Sequence, residues 1–259
     1  MIRVGRRRGA LDRLAPLPLT GTEGACVLVH GFPAQAFGTN CYVLAPAPGE
    51  ECLVVDPGIG VLDSLAEVLR EQRLRPAAVL LTHGHLDHVY SLTPVCGAHG
   101  VAAYIHADDA YRLRDPLASI DPALLAMLES EFGARAQWSE PDDVRPLSDG
   151  QPMSVAGLEV SVDHAPGHTE GSVLFRLPAD DPDDDTGAQV CLAGDVLFAG
   201  SIGRTDLAGG DATAMQASLR TKVLPLRDDT TVLPGHGPTT TIGRERATNP
   251  FLRGLVPAS

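Results

Sequence analysis

Residues 80–90 read LLTHGHLDHVY and place four potential metal ligands directly after an apolar run: His83, His85, Asp87 and His88. Alternate residues of a strand face the same way, so the sequence predicts that His83 and His85 bind one ion together. If the chain then turns into a helix, Asp87 and His88 point elsewhere and begin a second site. Imidazole and carboxylate ligands suit zinc, iron or manganese. The segment therefore predicts two metal ions.

Three further candidates each follow an apolar, strand-like run: His168 in APGHTEGS, Asp195 in CLAGDVLF and His236 in LPGHGP. Functional side chains collect on loops that a rigid sheet holds in place. Because a carboxylate can bridge two cations, Asp195 is predicted to share both ions, with His168 completing the first site and His236 the second. A hydroxide between the ions would then be the nucleophile. Packing or solvent-facing roles are expected for the remaining histidines, His30, His99, His106 and His164.

Short apolar runs alternate with turns and helical patterns from about Gly24 onward. The predicted strands are ACVLVHG, NCYVLAP, ECLVVDPG, PAAVLLTH, VAAYIHA, LEVSVDHAPGH, SVLFRLP, QVCLAGD and TVLPGHG. The predicted helices span Val61 to Arg73, begin at Asp121 and Pro122, and begin after an N-cap at Asp211. We therefore predict one α/β domain over residues 24–259, preceded by a disordered tail at residues 1–23.

The composition disfavours several classes of function. A formal net charge of −13 is a poor match for a nucleic-acid groove, which needs clustered Lys and Arg to displace phosphate counterions. No apolar run is long enough to span a bilayer, and the N-terminus has no signal-peptide core. The five cysteines are scattered, which is typical of buried free thiols in a reducing compartment. The sequence predicts a cytoplasmic protein with a small-molecule partner and leaves its oligomeric state open.

The strings THGHLDH, PGHT, GD and PGHG, in that order, resemble the metallo-β-lactamase superfamily. This resemblance implies a four-layer αββα sandwich with metals at one edge. It also implies two ligand sets, which are His83, His85, His168 and Asp195 for one metal and Asp87, His88, Asp195 and His236 for the other. FGTNCYVL, VVDPG, GSIGRTDLAGGD and the ending LPGHGPTTTIGRERATNPFL are similar to small bacterial proteins of the glyoxalase II (hydroxyacylglutathione hydrolase) branch.

The resemblance implies a dinuclear metal-dependent hydrolase that cleaves S-2-hydroxyacyl thioesters, such as S-lactoylglutathione, to a thiol and a 2-hydroxy acid. Two divalent ions per chain are expected, zinc first, with iron or manganese as alternatives. Asp87 and Asp195 are the expected catalytic residues, because Asp87 would orient the hydroxide and Asp195 would hold both ions. A thioester needs little help with its leaving group, since a thiolate departs readily.

Longer glyoxalase II enzymes bind glutathione through a GxGKxY-like loop after the bridging aspartate and through a helical C-terminal extension. Aligned on Gly203, this chain has Arg204 at the basic position and Asp206 in place of the tyrosine. The 23 residues after His236 are too few for such an extension. Arg204 offers paired donors to a carboxylate and is predicted to contact the thiol-derived half of the substrate. An ion pair with Asp206 is the equally weighted alternative.

Three other functions stay open. A mononuclear-iron persulfide dioxygenase shares the fold, the THxHxDH string and a GRTD segment, but the PGHG string and the TNPF ending favour the hydrolase. A β-lactamase is disfavoured because the chain has no export signal and carries Asp195 where many of those enzymes use cysteine. A non-catalytic metal-binding scaffold is disfavoured because all seven candidate ligands are present.

Overall fold

The computed structural model describes residues 27–117, 122–132, 138–177 and 190–255. The predicted tail at residues 1–23 and the predicted helix cap Asp121 lie outside the described residues, so both stay predictions. The described residues form a mixed α/β fold with two six-stranded sheets and seven α-helices.

The HxHxDH segment follows a strand of the first sheet. Its strands are β1 Leu28–Pro33, β2 Asn40–Ala45, β3 Glu51–Val55, β4 Arg75–Leu80, β5 Ala102–His106 and β6 Val144–Leu147, and they lie side by side in this order. The first three pair antiparallel, whereas β3 to β6 pair parallel. Parallel neighbours need crossover connections. The carboxyl ends of β3, β4 and β5 therefore meet at one edge.

The second half of the chain supplies β7 Pro152–Val155, β8 Leu158–His164, β9 Val173–Leu177, β10 Val190–Gly194, β11 Leu197–Phe198, β12 Ser201–Ile202, β13 Thr231–Pro234 and β14 Thr240–Thr241. The second sheet has the order β14-β13-β10-β9-β8-β7, with β10 and β13 parallel and the other neighbours antiparallel. Strands β11 and β12 form a separate hairpin.

The helices are α1 Leu62–Gln72, α2 Leu86–Val89, α3 Leu92–His99, α4 Pro122–Phe132, α5 Ala212–Ser218, α6 Ile242–Thr248 and α7 Pro250–Arg253. A 3-10 helix covers Ala107–Leu113, and a π-helical turn, Leu219–Val223, continues α5. The helix predicted from Val61 to Arg73 is α1, with those two residues as its caps. Asp211 caps α5 as predicted, because its side chain accepts hydrogen bonds from the N–H groups of Thr213 and Ala214.

Apolar clusters divide the fold into four layers. Between the sheets, residues such as Leu80 of the first sheet pack against residues such as Phe175 of the second. Leu65 of α1 belongs to a cluster on the outer face of the first sheet, and Met215 of α5 belongs to one on the outer face of the second. Helices thus cover both outer faces, which is the αββα sandwich that the family resemblance implies.

Five short strands escaped the sequence prediction: β6, β7, β11, β12 and β14. Each has four residues or fewer, and β6 and β7 each contain a proline, so no alternation of apolar and polar residues is long enough to detect. Cys41, Cys52, Cys96 and Cys191 are buried free thiols as predicted, whereas Cys26 lies outside the described residues. Within the described ranges, no helix has the length and apolar character needed to cross a membrane.

Candidate metal centre

The loop that follows β4 carries the first two candidate ligands, His83 and His85. β4 ends at Leu80, and Thr82 then donates its backbone N–H (2.8 Å) and its hydroxyl (2.6 Å) to the buried carboxylate of Asp56, directly after β3. The predicted strand PAAVLLTH thus ends three residues earlier than expected, and His83 and His85 lie in the loop that follows it. The Nε2 atom of His83 and the Nδ1 atom of His85 still lie 3.1 Å apart, which is close enough for both rings to bind one ion.

The chain then turns into the short helix α2, which meets the condition under which Asp87 and His88 begin a second site, and two neighbours fix their side chains. The Oδ2 atom of Asp56 lies 2.9 Å from Nδ1 of His88, which leaves Nε2 facing the centre. Thr39 donates its hydroxyl to Oδ2 of Asp87 at 2.7 Å. A carboxylate on the second ring nitrogen of a metal-binding histidine fixes its tautomer and its orientation.

The second sheet supplies His168, Asp195 and His236 from the loops that follow β8, β10 and β13. The Nε2 atom of His168 lies 2.8 Å from Nδ1 of His85. Its Nδ1 atom donates to the carbonyl of Arg204 at 2.8 Å. All seven candidate ligands thus meet at the edge where strands of both sheets end.

Potential ligand atoms within 4.8 Å of one another form a first group, His83, His85 and His168, a second group, Asp87, His88 and His236, and an overlapping set, His83, His88 and Asp195. Asp195 lies between the first and second groups. Its Oδ1 atom is 3.4 Å from Nε2 of His88. Its Oδ2 atom is 3.5 Å from Nε2 of His168 and 3.5 Å from Nε2 of His236. One carboxylate thus faces both groups, as a bridging ligand must.

Two atoms at the centre of this cluster fit metal ligands. Nε2 of His88 and Oδ1 of Asp195 are buried and have no hydrogen-bond partner among the described residues. Leaving a buried polar group unsatisfied costs roughly 1–3 kcal/mol. A cation bound between them would satisfy both atoms, so the residues present fit a metal centre.

The sequence profile of the metallo-β-lactamase superfamily matches residues 34–236. This chain belongs to that superfamily. It is 33% identical over 221 residues to hydroxyacylglutathione hydrolase GloC of Haemophilus influenzae, a match that covers 85% of this chain and 95% of the relative.

Two solved structures of the superfamily fold are similar along most of their length. BLEG-1 B3 metallo-β-lactamase has a TM-score of 0.70 and 36% identity, covering 87% of this chain and 99% of that one. TTHA1623 in a di-iron-bound form has a TM-score of 0.66 and 34% identity, covering 86% and 99%.

Burial prepares the first group for a cation. Burial, followed by the neighbouring rings of His88 and His168, holds the pKa of His83 well below its ordinary value. Burial and then His168 lower the pKa of His85 to about 3, and burial lowers the pKa of His168. These rings are therefore neutral at pH 7, which is the form of imidazole that binds a metal.

The second group holds opposite charges when no metal is bound. Burial disfavours a charged His88, but the carboxylates of Asp87 and Asp195 outweigh it and raise the pKa of that ring well above its ordinary value. Burial likewise opposes a charged His236, and its hydrogen bond with Asp87 raises its pKa. Despite burial, His88 lowers the pKa values of Asp87 and Asp195.

We expect that zinc binding to the metal-free protein at pH 7 releases protons, chiefly from His88 and His236 of the second group. A ring with a raised pKa is protonated at neutral pH and must lose its proton to bind, so the zinc affinity of this group falls as the pH drops. The first group, whose pKa values are lowered, binds over a wider pH range. Isothermal titration in buffers of different ionisation enthalpy measures the protons released. Heats that do not depend on the buffer would contradict this assignment.

Arg204 lies beside the first group and has two kinds of contact. Its guanidinium forms a two-point pair with Asp206, with both N–O distances at 2.7 Å, and both side chains are more than half exposed. Its carbonyl accepts the hydrogen bond from His168. The ion pair predicted as one alternative is thus present, and the contact with substrate stays a prediction.

Glu245 and Asn249 hold the β11–β12 hairpin against the C-terminal helices, a role that the sequence analysis missed. The fully buried Glu245 carboxylate accepts hydrogen bonds from the N–H of Gly200 (2.7 Å) and the side chain of Asn249 (2.9 Å). Asn249 also donates to the carbonyl of Ser201 at 3.0 Å. The TNPF string was the available signal, since its Asn249 and the following proline begin α7.

His106 and His164 stack on each other, with ring centroids 3.8 Å apart and planes inclined by 13°. With Asp108 they form a further group of potential ligands. Two parallel rings cannot both aim a nitrogen lone pair at one ion. In addition, Nε2 of His164 pairs with the carbonyl of Glu170 at 2.7 Å. The predicted packing role therefore describes these two rings better than a metal site does.

Proposed function

We propose that this superfamily member is a dinuclear metal hydrolase of thioesters, with S-lactoylglutathione and related S-2-hydroxyacyl thioesters as its substrate class. The position of Asp195 carries the proposal, because its two oxygens lie within 3.5 Å of ring nitrogens from both groups. The likeness to GloC, a hydroxyacylglutathione hydrolase, supports the choice of a thioester.

In the proposed centre each ion has four protein ligands, and Asp195 belongs to both sets. One ion binds His83, His85, His168 and Asp195, and the other binds Asp87, His88, Asp195 and His236. Zinc is the proposed metal, and iron and manganese accept the same imidazole and carboxylate ligands. The likeness to the di-iron-bound form of TTHA1623 makes iron the first alternative to test.

Two bound divalent ions would supply an activated water as nucleophile and a Lewis acid for the thioester carbonyl. The Oδ2 atom of Asp87 accepts a hydrogen bond from Thr39 and lies 3.2 Å from Nε2 of His236, so this carboxylate is held in place. Held in this way, Asp87 would orient the attacking water toward the carbonyl carbon. A C–O bond would form as the C–S bond breaks, and the proton lost by the water would pass to solvent. The thiolate would leave without a general acid because it is a weak base.

A thioester screen with zinc-, iron- and manganese-loaded protein tests the proposal. Thiol release from S-lactoylglutathione should require metal and should be lost in Asp87→Asn, which keeps the shape of the side chain and removes its charge. Oxygen consumption with glutathione persulfide, without thioester hydrolysis, would identify a persulfide dioxygenase instead. Failure of every metal-loaded form in both assays and with nitrocefin would support a non-catalytic scaffold.

The likeness to BLEG-1 B3 metallo-β-lactamase, at 36% identity, favours β-lactam hydrolysis as the second candidate function. The same activated water would attack a lactam carbonyl, but an amine leaves less readily than a thiolate. We therefore expect a lower kcat/KM for nitrocefin than for S-lactoylglutathione. The reverse order would make β-lactams the preferred substrates.

We expect Arg204→Ala to raise KM for S-lactoylglutathione about 2- to 5-fold with kcat kept, since an exposed charge contact adds little binding energy and adds it equally to the bound substrate and the transition state. Arg227→Ala is the matched control, because Arg227 pairs with Asp229 at the same sequence spacing. The control should leave KM unchanged. Loss of folding or of metal in Arg204→Ala, with KM unchanged, would assign the arginine to structure.

The proposed setting is the cytoplasm, and the proposed partner is a small molecule and not a nucleic acid. The buried free thiols support a reducing compartment. The net charge of −13 supports the second point.

A further inference from the structure

Asp109 is a fully buried carboxylate outside the set of candidate ligands, in the 3-10 helix after β5. Its Oδ2 atom accepts hydrogen bonds from the N–H of Gly84 (2.7 Å) and the hydroxyl of Thr169 (2.8 Å). Its Oδ1 atom accepts from the N–H of Gly171 (2.9 Å) and from Nε of Arg112 (3.2 Å). Four donors thus converge on one side chain, which fills the capacity of a carboxylate.

Three of these four donors, Gly84, Thr169 and Gly171, belong to the segments that carry the first group. Gly84 lies between His83 and His85, on the loop that leaves the first sheet. Thr169 directly follows His168, on the loop that leaves the second sheet. Asp109 therefore ties together two loops from different sheets, and all three imidazoles of the first group depend on the relative position of those loops.

Both loops approach the 3-10 helix closely through glycine. A Cβ at Gly171 would lie 2.6 Å from the Cβ and the backbone nitrogen of Asp109. A Cβ at Gly84 would lie 2.8 Å from side-chain carbons of Arg112. Glycine at both positions thus leaves the backbone N–H groups free to reach the carboxylate.

Arg112 balances the buried charge and extends the network. It is 8% exposed, and its Nη2 atom donates to Oε2 of Glu170 at 2.5 Å and to the carbonyl of Ala208 at 2.9 Å. A buried carboxylate needs such a partner, because an isolated charge in the interior is strongly unfavourable. Asp109 is therefore held as a hydrogen-bond acceptor in a fixed position.

We propose that Asp109 is a positioning residue that sets the orientation of His83 and His85 relative to His168, and through them the affinity of the first group for its ion. An asparagine at this position would turn an N–H₂ group toward two of the four donors, so the two loops would no longer be held together. The inference rests on the metal centre and not on the thioesterase proposal, so failure of either one leaves the other standing.

Two single variants, used as backgrounds, allow the zinc affinity of each group to be measured separately. His236→Ala removes a ligand of the second group, and His168→Ala removes a ligand of the first. Asp109→Asn is added to each, and Zn²⁺ is titrated into metal-free protein against a competing chelator. In the His236→Ala background, zinc should bind about 10- to 100-fold more weakly, as for the loss of a residue that supports a ligand. In the His168→Ala background, the affinity should stay within about 2-fold, because no donor to Asp109 among the described residues lies in α2 or in the loops that carry Asp195 and His236.

Asp163→Asn is the matched control, because Asp163 is a buried carboxylate on β8 that pairs with Arg176 of β9. This variant should lose resistance to urea and keep its zinc affinity within about 2-fold. Thr169→Val is a milder test should Asp109→Asn fail to fold. It removes one hydroxyl donor and should weaken zinc about 2- to 10-fold in the His236→Ala background.

Equal weakening of zinc in both backgrounds would overturn the proposal, because Asp109 would then support the whole centre or the fold in general. Unchanged zinc affinity in the folded Asp109→Asn protein, or in Thr169→Val, would also overturn it. Circular dichroism of the metal-free variants separates loss of fold from loss of affinity.

Discussion

Replacing Asp195 with alanine is expected to empty both metal sites, so that bound zinc falls from about two equivalents per chain to fewer than one. The carboxylate faces ring nitrogens of both groups, and each ion would lose a charged ligand at once. The kcat/KM for S-lactoylglutathione should fall by more than about 100-fold, the upper range for residues that only support a ligand. Elemental analysis after dialysis against metal-free buffer, with steady-state kinetics, measures both effects.

His236→Ala is the control for this prediction, because it removes a ligand of the second group and leaves the first group intact. We expect this variant to retain about one zinc equivalent per chain. Equal and mild losses of metal in the two variants would show that Asp195 is not shared. A single equivalent in the unmutated protein would favour the mononuclear dioxygenase.

The candidate ligands could be predicted from the sequence because their chemistry is local. Four of them stand in one string, and His168, Asp195 and His236 each follow an apolar run that ends at the same edge of the fold. The longer strands could be predicted for a similar reason, since apolar runs bounded by turns are local as well. The four layers came from the family resemblance, and the order of the strands was not predicted, because pairing depends on residues far apart in the chain.

The contacts that orient the ligands could not be predicted in this way. Asp56 and His88 are 32 residues apart, Thr39 and Asp87 are 48 apart, and Asp109 and Gly171 are 62 apart. Hydrogen bonds over such separations leave no spacing that a single sequence reveals. The predicted strand PAAVLLTH ran three residues too far for the same reason, because the N–H and hydroxyl of Thr82 donate to the distant Asp56 and not to a neighbouring strand.

Gly235→Ala is expected to disrupt the metal centre although it changes no ligand. A Cβ at this position would collide with Oδ1 of Asp195 and lie 2.8 Å from Cε1 of His88. Neither the Asp195 carboxylate nor the His88 ring can move aside without leaving the centre. Asp195 is buried between the first and second groups, and Asp56 holds His88. We expect the loss of at least one zinc equivalent and a fall in kcat/KM of more than about 100-fold.

Gly237→Ala, two residues further along the same PGHG string, is the matched control. Its Cβ would meet open space, but its φ of +78° lies in the left-handed region. Alanine there should cost about 1–2 kcal/mol of stability, seen as a lower urea midpoint, with both ions retained. If Gly235→Ala, like the control, lost only stability and kept its metal and activity, the close approach of residue 235 to Asp195 and His88 would be unimportant to the centre. The expected contrast would show that Gly235 is needed for the space beside two ligands, whereas Gly237 is needed for the left-handed backbone conformation of the turn.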